Sequence, residues 1–209
     1  MAKETTEGLS PTEAIETLTE IEGYDKTLTV RTFGLTLMVF ALAIGAIPIS
    51  YASAESWLSG HAYAGVIESL LWAPWIGGAV TITSVLWKTH SISLGESDAP
   101  VYNWLGVAFT IVFFLMAFGV QIIVGSTMNV YITWGITAGL FTVLLGGWYY
   151  YLYRKRWALI PLIVAGVVIL LGNLLLSTVE LHAVQAGFAT GFLQGCVYFL
   201  TGLAISMRG

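Results

Sequence analysis

The sequence predicts an all-α polytopic integral membrane protein, a six-transmembrane-helix bundle with both termini on the cytoplasmic side. Three observations predict it. Of the 209 residues 57% are apolar and only 10% charged, with a mean hydropathy of +0.83, against about 25% charged residues in a soluble domain. Six apolar stretches follow one another, at Thr32–Ala52, Ala62–Trp87, Val101–Val124, Met128–Tyr153, Trp157–Ser177 and Val184–Met207. The Lys and Arg residues fall in alternate connections only.

Each stretch holds about 21–26 residues, enough to cross roughly 30 Å of hydrocarbon as a helix. Barrel strands would be about 10 residues with strict alternation, which these runs lack. Lys3, Lys26 and Arg31 precede the first stretch, Lys88 follows the second, Arg154, Lys155 and Arg156 separate the fourth and fifth, and Arg208 follows the sixth. Six crossings bring all of them to one side, the cytoplasmic one by the positive-inside rule. Trp87, Trp148 and Trp157 then mark the inner interface, and Tyr51, Trp57, Tyr63 and Tyr131 the outer one.

The chain divides into a polar leader, residues 1–31, and the membrane domain, residues 32–207. The leader contains no hydrophobic region of a signal peptide. Within it Ser10-Pro11-Thr12-Glu13 reads as N-cap, first-turn proline and capping-box glutamate. Ile15, Leu18 and Ile21 recur at helical spacing opposite Glu16 and Glu20, and Gly23 reads as the stop. Seven of the twelve acids lie before residue 26. An anionic lipid surface repels such a helix, so it is expected to pack on the cytoplasmic face of its own bundle or of a neighbouring subunit, or to remain solvated.

The six stretches pair into three hairpins with short connections, apart from Thr89–Pro100. In the second stretch Pro74, followed by Gly77-Gly78, is expected to kink or unwind the helix. Glycines at 135 and 139 in the fourth stretch and at 187, 191, 195 and 202 in the sixth form small-residue ridges that let helices approach closely in lipid. The same face of the sixth carries Thr190, Gln194, Tyr198 and Thr201.

Glu68 is the sharpest single feature. It lies about 10 Å below the outer end of the second stretch, where a carboxylate costs roughly 2.5–3.5 kcal/mol unless protonated, paired or wetted. Trp72 shares its helical face. A second polar group gathers at the outer ends of later stretches: Gln121, Asn173, Glu180, His182 and Gln185. Glu68, Trp72, Gln121, Asn173, Gln185 and Gln194 are therefore the candidate solute-binding or pore-lining residues, facing an outer vestibule above a drier constriction. Each also has a plain structural reading, as a polar group satisfied on a neighbouring helix.

Other functions find little support. The one cysteine, Cys196, excludes an internal disulfide and a multi-cysteine metal centre. Glu180, His182 and His61 do not match a recognised metal-ligand spacing, and no cofactor is implied. There is no phosphate-binding loop, no H-E-x-x-H and no Asp within a span, so an enzyme is not expected. No basic face suits nucleic acid. What remains is a channel or secondary transporter for a small polar or weak-acid solute, or a non-catalytic subunit of a larger membrane complex. The partners are the lipid bilayer and either copies of the chain or other membrane subunits.

Six spans in about 200 residues behind a polar leader, with Phe33-Gly34, Gly77-Gly78 and Leu171-Gly172-Asn173, resemble the small acetate/succinate uptake transporter family (the YaaH-like proteins). Where that family carries Asn-Pro-Ala-Pro-Leu-Gly ahead of the first span, this chain reads Asp25-Lys26-Thr27-Leu28-Thr29-Val30. The resemblance implies a ring-shaped homo-oligomer with a pore inside each subunit for small monocarboxylates.

Overall fold

Long apolar runs in lipid satisfy their backbone groups internally, and helix is the way a single run does so. The computed structural model describes residues 11–58, 70–93, 104–124, 128–153 and 156–208, and there every long element is an α-helix: α1 Pro11–Leu58, α2 Trp72–Ser93, α3 Trp104–Val124, α4 Val130–Tyr153, α5 Arg156–Leu176 and α6 Ala183–Ser206. Among the described residues three segments are long and apolar enough to cross a membrane: Thr27–Ile47 of α1, Val130–Trp148 of α4 and Ala183–Ser206 of α6. Shorter apolar runs occupy Ile111–Val124 of α3 and Ile160–Leu176 of α5. The ends of α3 to α6 fall within three residues of the apolar stretches that predict them.

The leader departs from expectation. Gly23 does not end a short helix. α1 runs unbroken for 48 residues, about 72 Å. Its first three turns stand clear of the remaining helices, with Ile15, Leu18 and Ile21 all exposed, so the amphipathic segment is not folded onto its own bundle. Thr17 and Thr19 turn their hydroxyls back to the carbonyls of Glu13 and Ile15, a bond that keeps a polar side chain compatible with the helix.

α2 shows an interruption near its proline. Leu71 is a turn between helical Leu70 and Trp72, which leaves Pro74 in the first turn of α2, where the missing N–H is no loss. The hydroxyls of Thr81 and Thr83 bond the carbonyls of Gly77 and Ala79.

Among the described residues the helices form an open series. α2 packs on α1, α1 on α6, α6 on α5 and α4, α5 on α4, and α4 on α3. Among the described residues α2 touches only α1, and α3 touches only α4. The core lies in three layers along the bundle axis. Val30, Phe33, Leu162 and Ile205 fill the end that carries Arg31, Lys88 and Arg208. Ala41, Ala138, Ile169 and Tyr198 fill the middle. Ile132, Ile136 and Ala186 fill the opposite end, beside Met128, Leu176 and Leu181. Residues early in the apolar segment of α1 and early in α5 thus share a layer with residues late in α6, which makes α6 antiparallel to both.

Two backbone seams set the spacing. A Cβ on Gly34 would lie 2.5 Å from the Gly202 carbonyl oxygen, and a Cβ on Gly202 equally close to that of Gly34. Between α4 and α5, a Cβ on Gly139 would fall 2.7 Å from the Leu170 nitrogen, and one on Gly166 2.7 Å from the Gly139 oxygen. Small residues gain such contacts because in lipid close packing, not hydrophobicity, drives helix association. A Cβ on Gly187 or Gly195 would lie 3.3 Å from the Tyr131 ring or the Ala41 carbonyl oxygen, tight but less severe than at the two seams.

Candidate functional site

Polar side chains inside a membrane bundle are expensive and must be hydrogen-bonded. The described helices concentrate theirs where α4, α5 and α6 meet: Thr133, Thr137 and Thr142 from α4, Asn173 from α5, Thr190 and Gln194 from α6, with Tyr198 at the lower edge.

The α4 threonines are satisfied at home. The Thr137 hydroxyl donates to the Thr133 carbonyl at 3.0 Å and that of Thr142 to Ala138 at 2.7 Å. Asn173 is fully enclosed. Its Nδ2 donates to the Ile169 carbonyl at 2.8 Å, and its Oδ1 accepts the Thr190 hydroxyl at 2.9 Å. This pair ties α5 to α6 and presses on the bare backbone of Gly135 in α4. Two turns further along α6, about 12 Å, the Tyr198 hydroxyl lies 2.6 Å from Thr142 Oγ1 and 3.5 Å from the Ala138 carbonyl. Between these two clasps stands Gln194, 7% exposed, with no hydrogen bond to its amide among the described residues.

The clasps predict an asymmetry. Thr142→Val leaves the Tyr198 hydroxyl only its long 3.5 Å contact with the Ala138 carbonyl, whereas Tyr198→Phe leaves Thr142 bonded to Ala138 at 2.7 Å. A stranded buried group costs about 1–3 kcal/mol and a lost bond about 1, so Thr142→Val is expected to lower the unfolding midpoint in detergent more than Tyr198→Phe. A larger loss for the phenylalanine variant contradicts this arrangement.

The other sequence-predicted residues scatter. Glu68 lies in 59–69, outside the described residues, as does His61. Trp72 opens α2, and its side chain is outside the description. Gln121, near the end of α3, is half-buried, its Oε1 enclosed with no hydrogen-bond partner among the described residues. Gln185 is exposed in the first turn of α6, where its Oε1 accepts the backbone N–H of His182 at 3.2 Å. That bond is the returning half of a capping box. Glu180 and His182 are exposed, and among the described residues no three His, Cys, Asp or Glu gather into a metal-holding group. Of the six candidates, Asn173 and Gln194 alone are placed in one buried tract.

A second polar contact line joins α2 to α1. Thr29 Oγ1 lies 3.4 Å from His90 Nε2, Trp87 Nε1 donates to Thr36 Oγ1 at 3.1 Å, and Trp75 Nε1 donates to Ser50 at 2.7 Å. His90 is buried and meets Trp87 edge-on, ring centroids 5.3 Å apart. Sequence reading missed this line, although threonines and tryptophans one helical face apart were its visible signal.

Comparison with protein-family models, with curated proteins and with solved structures finds no match.

Proposed function

We propose that the protein is a channel or secondary transporter for a small polar or weak-acid solute, a six-span protein of the cell membrane with both termini in the cytoplasm. The observation that carries this reading is Gln194. It stands about midway along the 24 residues of α6, on the inward face, unpaired, between Asn173–Thr190 and Thr142–Tyr198. The amide there is neither hydrogen-bonded among the described residues nor among the fully enclosed polar atoms, which leaves it open to a solute contact at mid-membrane, where polar groups are rare and functional. The polar tract supplies a line of donors and acceptors to one side of it, and the Thr142–Tyr198 clasp supplies the constriction. Glu68 remains part of this proposal as the outer protonatable group.

The test is flux in liposomes. Purified protein is expected to pass small uncharged or weak-acid solutes, and Gln194→Leu to slow that flux about tenfold, the worth of one hydrogen bond near 1.4 kcal/mol. Glu68→Gln is expected to change its pH dependence. Flux equal to that of empty liposomes across the solute panel overturns the reading.

The alternative, a non-catalytic subunit of a larger membrane complex, is favoured by the exposed acidic arm of α1 and by the single neighbour that α2 and α3 each have among the described helices. It predicts different polypeptides at fixed stoichiometry after mild-detergent purification. A homogeneous homo-oligomer argues against it and fits the transport reading.

A further inference from the structure

Gln194 is more than nine-tenths buried, yet its amide, with up to two N–H donors and an acceptor oxygen, finds no partner among the described side chains. The groups that flank it bond one another without exhausting their capacity, since the Asn173 amide keeps a second N–H and a second lone pair. Asn173 Oδ1 holds Thr190, Asn173 Nδ2 holds the Ile169 carbonyl, and Thr142 holds both Ala138 and Tyr198. Across the interior of α4, α5 and α6 no Lys, Arg, Asp or Glu is buried among the described residues, and the one buried histidine, His90, belongs to the α1–α2 contact.

We infer that Gln194 forms, with the Asn173–Thr190 and Thr142–Tyr198 clasps above and below it, a binding site for a small uncharged molecule that both donates and accepts hydrogen bonds, of the carboxamide or small-alcohol class. A carboxylate anion entering this tract would meet no cation, and burial of an unpaired charge is far costlier than burial of a satisfied amide. A weak acid is therefore received in its protonated form. The inference rests on the transport reading for its purpose, but its geometry stands on Gln194 alone.

The experiment is thermal unfolding of the purified, detergent-solubilised protein in acetamide and, at matched osmolality and pH 8, in sodium acetate, for the wild type and Gln194→Met. Acetamide at about ten times its Kd is expected to raise the wild-type midpoint by roughly 3–5 °C, acetate to add nothing beyond its ionic-strength control, and Gln194→Met to lose the acetamide shift. Gln194→Asn, which keeps the amide but withdraws it by one methylene, is expected to shrink the shift and serves if the methionine variant fails to fold. No wild-type shift, an equal shift in the variants or a larger effect of acetate each overturns the site, and water as the sole occupant gives the first of these. Because this readout is binding, a shift without liposome flux keeps the site and removes the transport reading. Flux without the shift removes the site.

Discussion

Gly202→Leu is expected to lower the stability of the protein by about 3 kcal/mol or more, read as a fall in the unfolding midpoint and as loss of the monodisperse species in detergent. The added Cβ meets the Gly34 carbonyl oxygen at 2.5 Å, Met38 Cγ at 2.8 Å and the Met38 nitrogen at 3.0 Å. The methionine side chain can yield, but the two backbone groups cannot without parting the helices. Overpacking of a well-packed core commonly costs about 1–3 kcal/mol, and a leucine facing backbone belongs at or beyond the upper end. The damage should spread, because α2 is held only through α1 among the described helices. Gly147→Leu is the matched control: nothing lies within 4 Å of a Cβ there and the position is exposed. A change within about 0.5 kcal/mol is expected for it. Equal stability of the two leucine variants would show that the α1–α6 seam does not form.

The contrast between Gly202 and Gly147 explains which features were legible in the amino-acid order. Apolar length is a one-dimensional property, so the positions of α3 to α6 follow from it almost to the residue. Glycine spacing on α4 and α6 likewise announced close packing at Gly135, Gly139 and Gly202. The partners did not announce themselves: Gly34 in α1 and Gly166 in α5 belong to no small-residue series at i+4 spacing, and a seam is a property of two helices. Gly23 misled for a related reason. A glycine stops a helix only where a left-handed residue is required, and elsewhere it costs about 1 kcal/mol relative to alanine, which a helix already extended on both sides absorbs.

The interior chemistry divides in the same way. Thr190, Gln194 and Tyr198 recur at i+4 spacing, so their common face was visible along one helix. Thr142 was not, since a threonine bonded to its own helix has no distinctive neighbours in sequence until Tyr198 arrives from 56 residues away. Asn173 was visible as a polar residue in an apolar run, yet its enclosure follows from Thr190 and from the absence of a side chain at Gly135. Gln185 illustrates the opposite case: near the end of an apolar run it read as a vestibule group, and the start of α6 at Ala183 turns it into a cap.

The Gly135–Asn173 contact permits a sharper test, because one residue is shaped by what the other lacks. A Cβ on Gly135 would overlap the Asn173 amide, falling 2.6 Å from Nδ2 and closer still to Oδ1 and Cγ. Gly135→Ala is therefore expected to expel the amide from its place, breaking its bonds to Thr190 and to the Ile169 carbonyl, at a cost of about 2 kcal/mol. Asn173→Ala removes the same bonds without strain, and polar contacts between membrane helices average about 0.6 kcal/mol with a maximum near 1.7, so it is expected to cost about 1 kcal/mol. In the double variant the methyl group at 135 enters space the amide has left. The two losses should then fall short of additivity by about 1 kcal/mol or more, within the range seen for residues in contact. Midpoints of the four proteins, measured in one detergent, complete the cycle. Additivity within about 0.5 kcal/mol would mean that Asn173 does not rest on the α4 backbone, and the tract that Gln194 completes would lose its upper wall.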